Sequence, residues 1–137
     1  MKKFEKSKQV TRMYLKASST LQDAELLLDE GRFAGAVSIA YFAVCHALKA
    51  TLETQDLCCV KNSETIATFT KHVIGTKDFP KSFNQKIFNL RTKREIGDFD
   101  FHEIINEKDA KECLCDAKEI VISVRGFLSK KRYFPSL

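Results

Sequence analysis

The stretch Phe33-Ala34-Gly35-Ala36-Val37-Ser38-Ile39-Ala40-Tyr41-Phe42-Ala43-Val44-Cys45-His46-Ala47-Leu48 decides the fold. Val37, Tyr41, Val44 and Leu48, continued by Leu52, recur at three- and four-residue steps and make one helical seam. The opposite side, Ala36, Ile39, Ala40, Ala43 and Ala47, is apolar as well. Between Ala36 and Leu48 only Ser38, Tyr41 and His46 carry polar side-chain atoms. A helix that is apolar nearly all round is covered on most sides. A helix over 33–53 is therefore expected at the centre of a bundle or across a dimer interface, its alanines letting neighbours approach closely.

Upstream, Val10, Met13, Ala17, Leu21, Ala24 and Leu28 repeat on one stripe and predict a helix over 6–29, stopped at Gly31. Downstream, 55–61 reads as a loop. Asn62 or Ser63 caps a short helix to Val73, with Ile66, Phe69 and Val73 inward. Gly75 to Lys77 breaks that pattern, and Asp78 and Pro80 open a fourth helix near Pro80. Its inward stripe is Phe83, Ile87 and Leu90, and the next position in that rhythm is Arg94. Gly97 is the expected terminator, with a loop through Asp98, Phe99, Asp100, Phe101 and His102. Asn106 with Asp109 resembles a capping box. It opens a fifth helix with Ala110, Leu114, Ala117, Val121, Val124 and Leu128 on one face. No period-2 alternation, repeat or low-complexity tract interrupts this. The expectation is an all-α antiparallel bundle of about five helices, a single domain over 1–137 with its core at about 8–130.

Bulk composition fits that class. The 137 residues are 44% hydrophobic and 30% charged, with two Pro, five Gly, eleven Phe and no Trp. The formal net charge is +5, with Lys2, Lys3, Lys6 and Lys8 at one end and Lys130, Lys131 and Arg132 at the other. Such a balance suits RNA, nucleotide phosphates or an acidic protein, and equally suits plain solubility with solvated ends. Met1-Lys2-Lys3 leads into a charged segment, so no signal peptide is expected. The longest uninterrupted apolar stretch, Ile39 to Cys45, is too short to span a bilayer. A cytoplasmic protein with reduced thiols and no membrane association is expected for the five cysteines.

Three stretches resemble the HEPN family (higher eukaryote and prokaryote nucleotide-binding), in its compact prokaryotic single-domain branch. The first is Glu30 to Ala47, where Ala40-Tyr41-Phe42-Ala43-Val44-Cys45-His46-Ala47 is similar to the family pattern A-Y-Y-A-x-x-H-A. The second is Asn62 to Phe69, placed where the family often opens a helix with His. The third, Arg94-Glu95-Ile96-Gly97-Asp98-Phe99, is similar to R-x-x-x-D-Y with Phe in place of Tyr. The resemblance covers about residues 8 to 130. It implies a bundle of four or five helices, frequent homodimers and RNA- or nucleotide-linked functions. It also implies, for many members, a neighbouring minimal nucleotidyltransferase partner in toxin–antitoxin modules, and for some a metal-independent ribonuclease with an R-x4-6-H motif.

Arg94 is the first candidate binding residue. Periodicity aims it along an apolar stripe, where a charge is costly unless paired or facing a cleft. Asp98 lies four residues on, within ion-pair reach on a helix. The pair reads either as a guanidinium held for phosphate oxygens or as a structural clamp closing the bundle end. Arg91 and Tyr41 complete the nucleotide- or RNA-binding set. His102 would join Arg94 in a ribonuclease, but seven residues separate them, one beyond the motif's window, so the sequence leans away from an enzyme. Tyr41 and His46 do not share a face, and both read as buried groups with local partners. Neither Cys58-Cys59 nor Cys113-x-Cys115 has the spacing of a structural zinc site, Cys45 reads as core, and no metal or cofactor is expected. Three functions stay open: a nucleotide- or RNA-binding dimer, a metal-independent endoribonuclease, and a ligand-free protein-interaction module.

Overall fold

The computed structural model describes residues 3–57 and 60–133. Five helices follow in order: α1 (Lys3–Asp29), α2 (Phe33–Glu53), α3 (Asn62–His72), α4 (Ser82–Phe99) and α5 (Glu107–Lys130). Among the described residues there is no strand, only one isolated bridge between Thr76 and Phe79.

The all-round apolar pattern of α2 has the consequence expected of it. This helix packs against each of the other four. Ala36, Val37, Ala40, Ala43, Val44, Cys45, Ala47, Leu48 and Leu52 are all buried. By length and composition alone α2 could cross a membrane, yet more than half of its apolar window lies inside the bundle. Burying such a helix against amphipathic neighbours removes the most apolar surface per residue ordered, which is the main force holding the bundle together.

α1 covers α2 with Val10, Tyr14, Ala17, Leu21 and Ala24. It ends as Gly31 predicts. Gly31 sits at φ 77, its N–H donates to Leu28 O, and Arg32 N–H donates to Leu27 O. That is a Schellman closure, which favours a residue without Cβ. α5 opens on the expected capping box, with Asp109 N–H donating to Asn106 Oδ1 at 2.8 Å and Asn106 N–H to Asp109 Oδ2 at 3.3 Å. Its expected face is buried throughout, joined by Cys113, Ile120 and Phe127.

Two sequence expectations need correction. Asn62 does not cap α3: it lies within the helix, and Lys61 precedes it with no side-chain cap. Gly97 does not terminate α4, which runs on to Phe99, so Asp98 and Phe99 are helical rather than in a loop. A Cβ on Gly97 would lie 3.2 Å from both the Ala34 Cβ and the Ile105 Cγ1. The glycine therefore serves close approach of α4 to the start of α2, not chain reversal. α4 begins at Ser82, close to Pro80 as expected. Phe79, just before it, is fully buried and its ring meets those of Phe69, Phe83 and Phe127 at 5.2–6.2 Å. These edge and tilted contacts pin the α3–α4 connection to the core.

Candidate functional site on α4

Because α4 continues through Gly97, Arg94 and Asp98 stand one turn apart on a real helix. Asp98 Oδ2 lies 3.1 Å from Arg94 Nε, with the two side chains 24% and 27% exposed. That oxygen is within ion-pair range but off the N–H direction, so Nε is closed to water and donates no hydrogen bond. The Ser38 hydroxyl, from α2, donates to the same carboxylate oxygen at 3.1 Å. The guanidinium carbon is 5.2 Å from the Tyr41 ring, 5.6 Å from Phe42 and 5.5 Å from Phe99. Three ring faces and one carboxylate thus stabilise the cation where the Phe83–Ile87–Leu90 stripe ends. Ser38, Tyr41 and Phe42 reach it because three- and four-residue steps put them on one face of α2.

Tyr41 is buried, and burial is the main reason its phenol is pushed up to about 12. Contact with the Cys45 thiol adds to that rise, while Arg91 and Arg94 oppose it. Burial likewise pushes the Cys45 thiol up to about 11, which makes it an inert core thiol. His46 faces elsewhere. Burial first, then Lys49 and Lys16, hold its imidazole below the ordinary value. Arg94, Asp98 and Tyr41 are therefore brought together, with Arg91 at electrostatic range.

Three grooves border α4, and Arg94 lines none of them. The first, of about 380 Å³, lies between α3 and α4, with Ile66 and Thr70 on one wall and Asn84, Gln85, Phe88 and Arg91 on the other. The second, of about 410 Å³, follows the end of α4 and includes Glu95, Phe99, Asp100, Phe101 and His102. His102 is exposed there. Its N–H donates to Asp100 Oδ1 at 2.7 Å, as does Glu103 N–H at 3.1 Å. This turn holds the Asp100 carboxyl below the usual carboxylate range. Among the described residues, Arg94 and His102 thus line none of these grooves in common.

Phe42 and Ser38 were not anticipated as partners of Arg94, although their spacing from Tyr41 carries the signal. Asn84, Gln85 and Phe88 were not anticipated either. They are exposed side chains on the outer face of α4, and no pattern in one chain marks such residues. Cys113 is buried and Cys115 exposed, so they point apart as expected. Cys58 and Cys59 lie outside the described residues. Among the described residues, no three His, Cys, Asp or Glu side chains are placed to share a metal ion.

The sequence comparisons bear on the same elements. The family model described as "HEPN domain" matches residues 10–127. The chain belongs to the HEPN domain family. The matched span includes both Ala40–Ala47 and Arg94–Phe99, so the resemblance read from those motifs holds. Similar relatives carry the name UPF0332 protein. One, from Gloeobacter violaceus, is 24% identical over 116 residues, covering 84% of this chain and 92% of the relative. Another, from Thermotoga maritima, is 30% identical over 124 residues, covering 90% and 94%. The HEPN match thus extends over all five helices, and the caged Arg94 is a feature of a HEPN bundle.

Proposed function

We infer that this HEPN-domain chain binds nucleotide or RNA, with Arg94 and Arg91 of α4 as its phosphate-facing groups. The observation that carries the reading is the Arg94 guanidinium. It is held by rings and by one off-axis carboxylate rather than consumed by a bidentate fork. An arginine so placed is oriented in advance, at little entropic cost, to meet an anion at its remaining exposed face. Asp98 and Tyr41 position it, and Arg91 adds charge alongside. A homodimer is part of the proposal, as is a nucleotidyltransferase-like partner in a toxin–antitoxin-type module. Family resemblance supports both, together with the apolar surface left open by Phe99, Phe101 and Ile104.

The test is RNA binding to the purified protein as a function of salt. Phosphate contacts release counterions, so affinity should fall steeply, by several orders of magnitude between about 50 and 200 mM salt if many phosphates are held. Binding that ignores salt, or no binding to RNA and nucleotides at all, would remove the reading.

One observation favours a second reading, a ligand-free protein-interaction module. Phe99, Phe101 and Ile104 are 66%, 96% and 87% exposed beside the Arg94 cage, an unusual density of large apolar side chains. Under that reading Arg94 only braces the surface. A partner complex that forms without nucleic acid and resists salt would favour it.

A further inference from the structure

We propose that the groove between α3 and α4 is a pocket for one nucleotide unit, with Phe88 stacking the base, the Asn84 and Gln85 carboxamides meeting its edge, and Arg91 meeting its phosphate. The inference rests on the nucleotide- or RNA-binding reading but places the contact apart from the Arg94 cage, since Arg94 does not line this groove.

Four observations converge. The groove's volume, about 380 Å³, falls in the range of small-ligand sites. Phe88 is 62% exposed at its wall, so a flat ring is presented to solvent where packing does not require it. Every nucleobase offers a π-face to such a ring, and stacking needs no particular sequence. Two carboxamides stand on the same wall. The Gln85 Nε2 donates to Asn89 Oδ1 at 2.9 Å, which uses one donor of a group that carries two donors and an acceptor. Carboxamides supply both hydrogen-bond polarities, as the edge of a base demands.

Charge selects the ligand's sign. From Phe79 to Arg94 the chain carries Lys81, Lys86, Arg91, Lys93 and Arg94 and no carboxylate. No acidic side chain lines the groove. Arg91 is held only loosely, its Nε 3.6 Å from Glu95 Oε1 with both side chains about half exposed. An exposed pair of this kind is weak and exchanges readily for a phosphate. The groove at the other end of α4 is lined by Glu95 and Asp100 and would repel the same ligand.

The chain has no Trp, so Phe88→Trp places a single indole at the pocket. It is titrated with ATP and, separately, with a fluorescein-labelled ten-nucleotide single-stranded RNA whose anisotropy is followed in parallel. Indole quenching that saturates with the ligand is the expected result. Quenching by ATP identifies a free nucleotide as sufficient, and quenching by RNA alone identifies a nucleotide within a strand. In the parent chain, Phe88→Ala and Arg91→Gln should each weaken binding by roughly tenfold or more. Lys93→Gln, an equal loss of charge outside the groove, should weaken it less than about threefold. RNA that binds with no indole response, or with affinity unchanged by Phe88→Ala and Arg91→Gln, overturns the pocket while leaving the broader reading intact. Binding of neither ligand overturns both.

Discussion

The two halves of α4 and its continuation differ more sharply than any other neighbours in the molecule. Phe79 to Arg94 holds five cations and no carboxylate. Glu95 to Asp109 holds Glu95, Asp98, Asp100, Glu103, Glu107 and Asp109 against Lys108 alone. The halves also differ in what they do with polar groups. At the C-terminal end they are tied inward: Arg94 to Asp98 and three rings, Ser38 to Asp98, and Asp100 to two backbone amides. Along the basic half, Arg91, Asn84 and Gln85 face a groove with only weak ties on their own helix. A guanidinium locked in a cage and one left loose three residues earlier have the same chemistry but different availability. Packing around each one decides which role it takes.

The largest expected effect tests the cage. Arg94→Met should cost about 1–3 kcal/mol of stability in urea unfolding, because a half-buried Asp98 loses its cation and keeps only the Ser38 hydroxyl. A loss near zero would mean that the two arginines are alike and the contrast is false.

Gly97→Ala sharpens the same point. Alanine favours a helix over glycine by roughly 1 kcal/mol, yet its methyl would crowd Ala34 and Ile105 at 3.2 Å. Overpacking should win, with a net loss of about 1 kcal/mol and a lower urea midpoint. A gain would show that the end of α4 is not clamped onto α2.

Arg91→Gln should then change stability by no more than about 0.5 kcal/mol, as expected of an exposed, loosely paired side chain. A larger loss would show that Arg91 is committed to holding the fold and weaken its case as a ligand contact.

The smallest effect is local. Asp100 is held below its ordinary value by the N–H groups of His102 and Glu103. For a depressed carboxyl, the interaction is present above the unfolded value, near 3.8, and is lost as pH falls through the lower folded value. The amide resonances of His102 and Glu103 should therefore move together in an NMR titration below that point, and Asp100→Asn should abolish the movement. Resonances that titrate independently would mean that the turn is not held by this carboxylate.

Much of the fold was legible because burial and helical period act on the same residues. The α2 seam, the α1 and α5 stripes, the Gly31 stop and the Asn106 capping box all rest on contacts within a few turns. What failed was of the opposite kind. Gly97 carries the local signature of a terminator, but its neighbours across space, Ala34 and Ile105, give it another purpose. Phe79 lies in a connection outside any helical period, and only three-dimensional packing shows it in the core.

The sequence by itself determined the helices, the central place of α2 and the anomaly of a cation on an apolar stripe. Those follow from periodicity and from the cost of burying charge, both of which can be read along one chain. The tertiary structure alone decided that Arg94 is enclosed by Tyr41, Phe42 and Phe99 while Arg91 borders a groove. An enclosure of that kind depends on how α2 and α4 sit against each other, and residues some fifty positions apart carry no local mark of meeting.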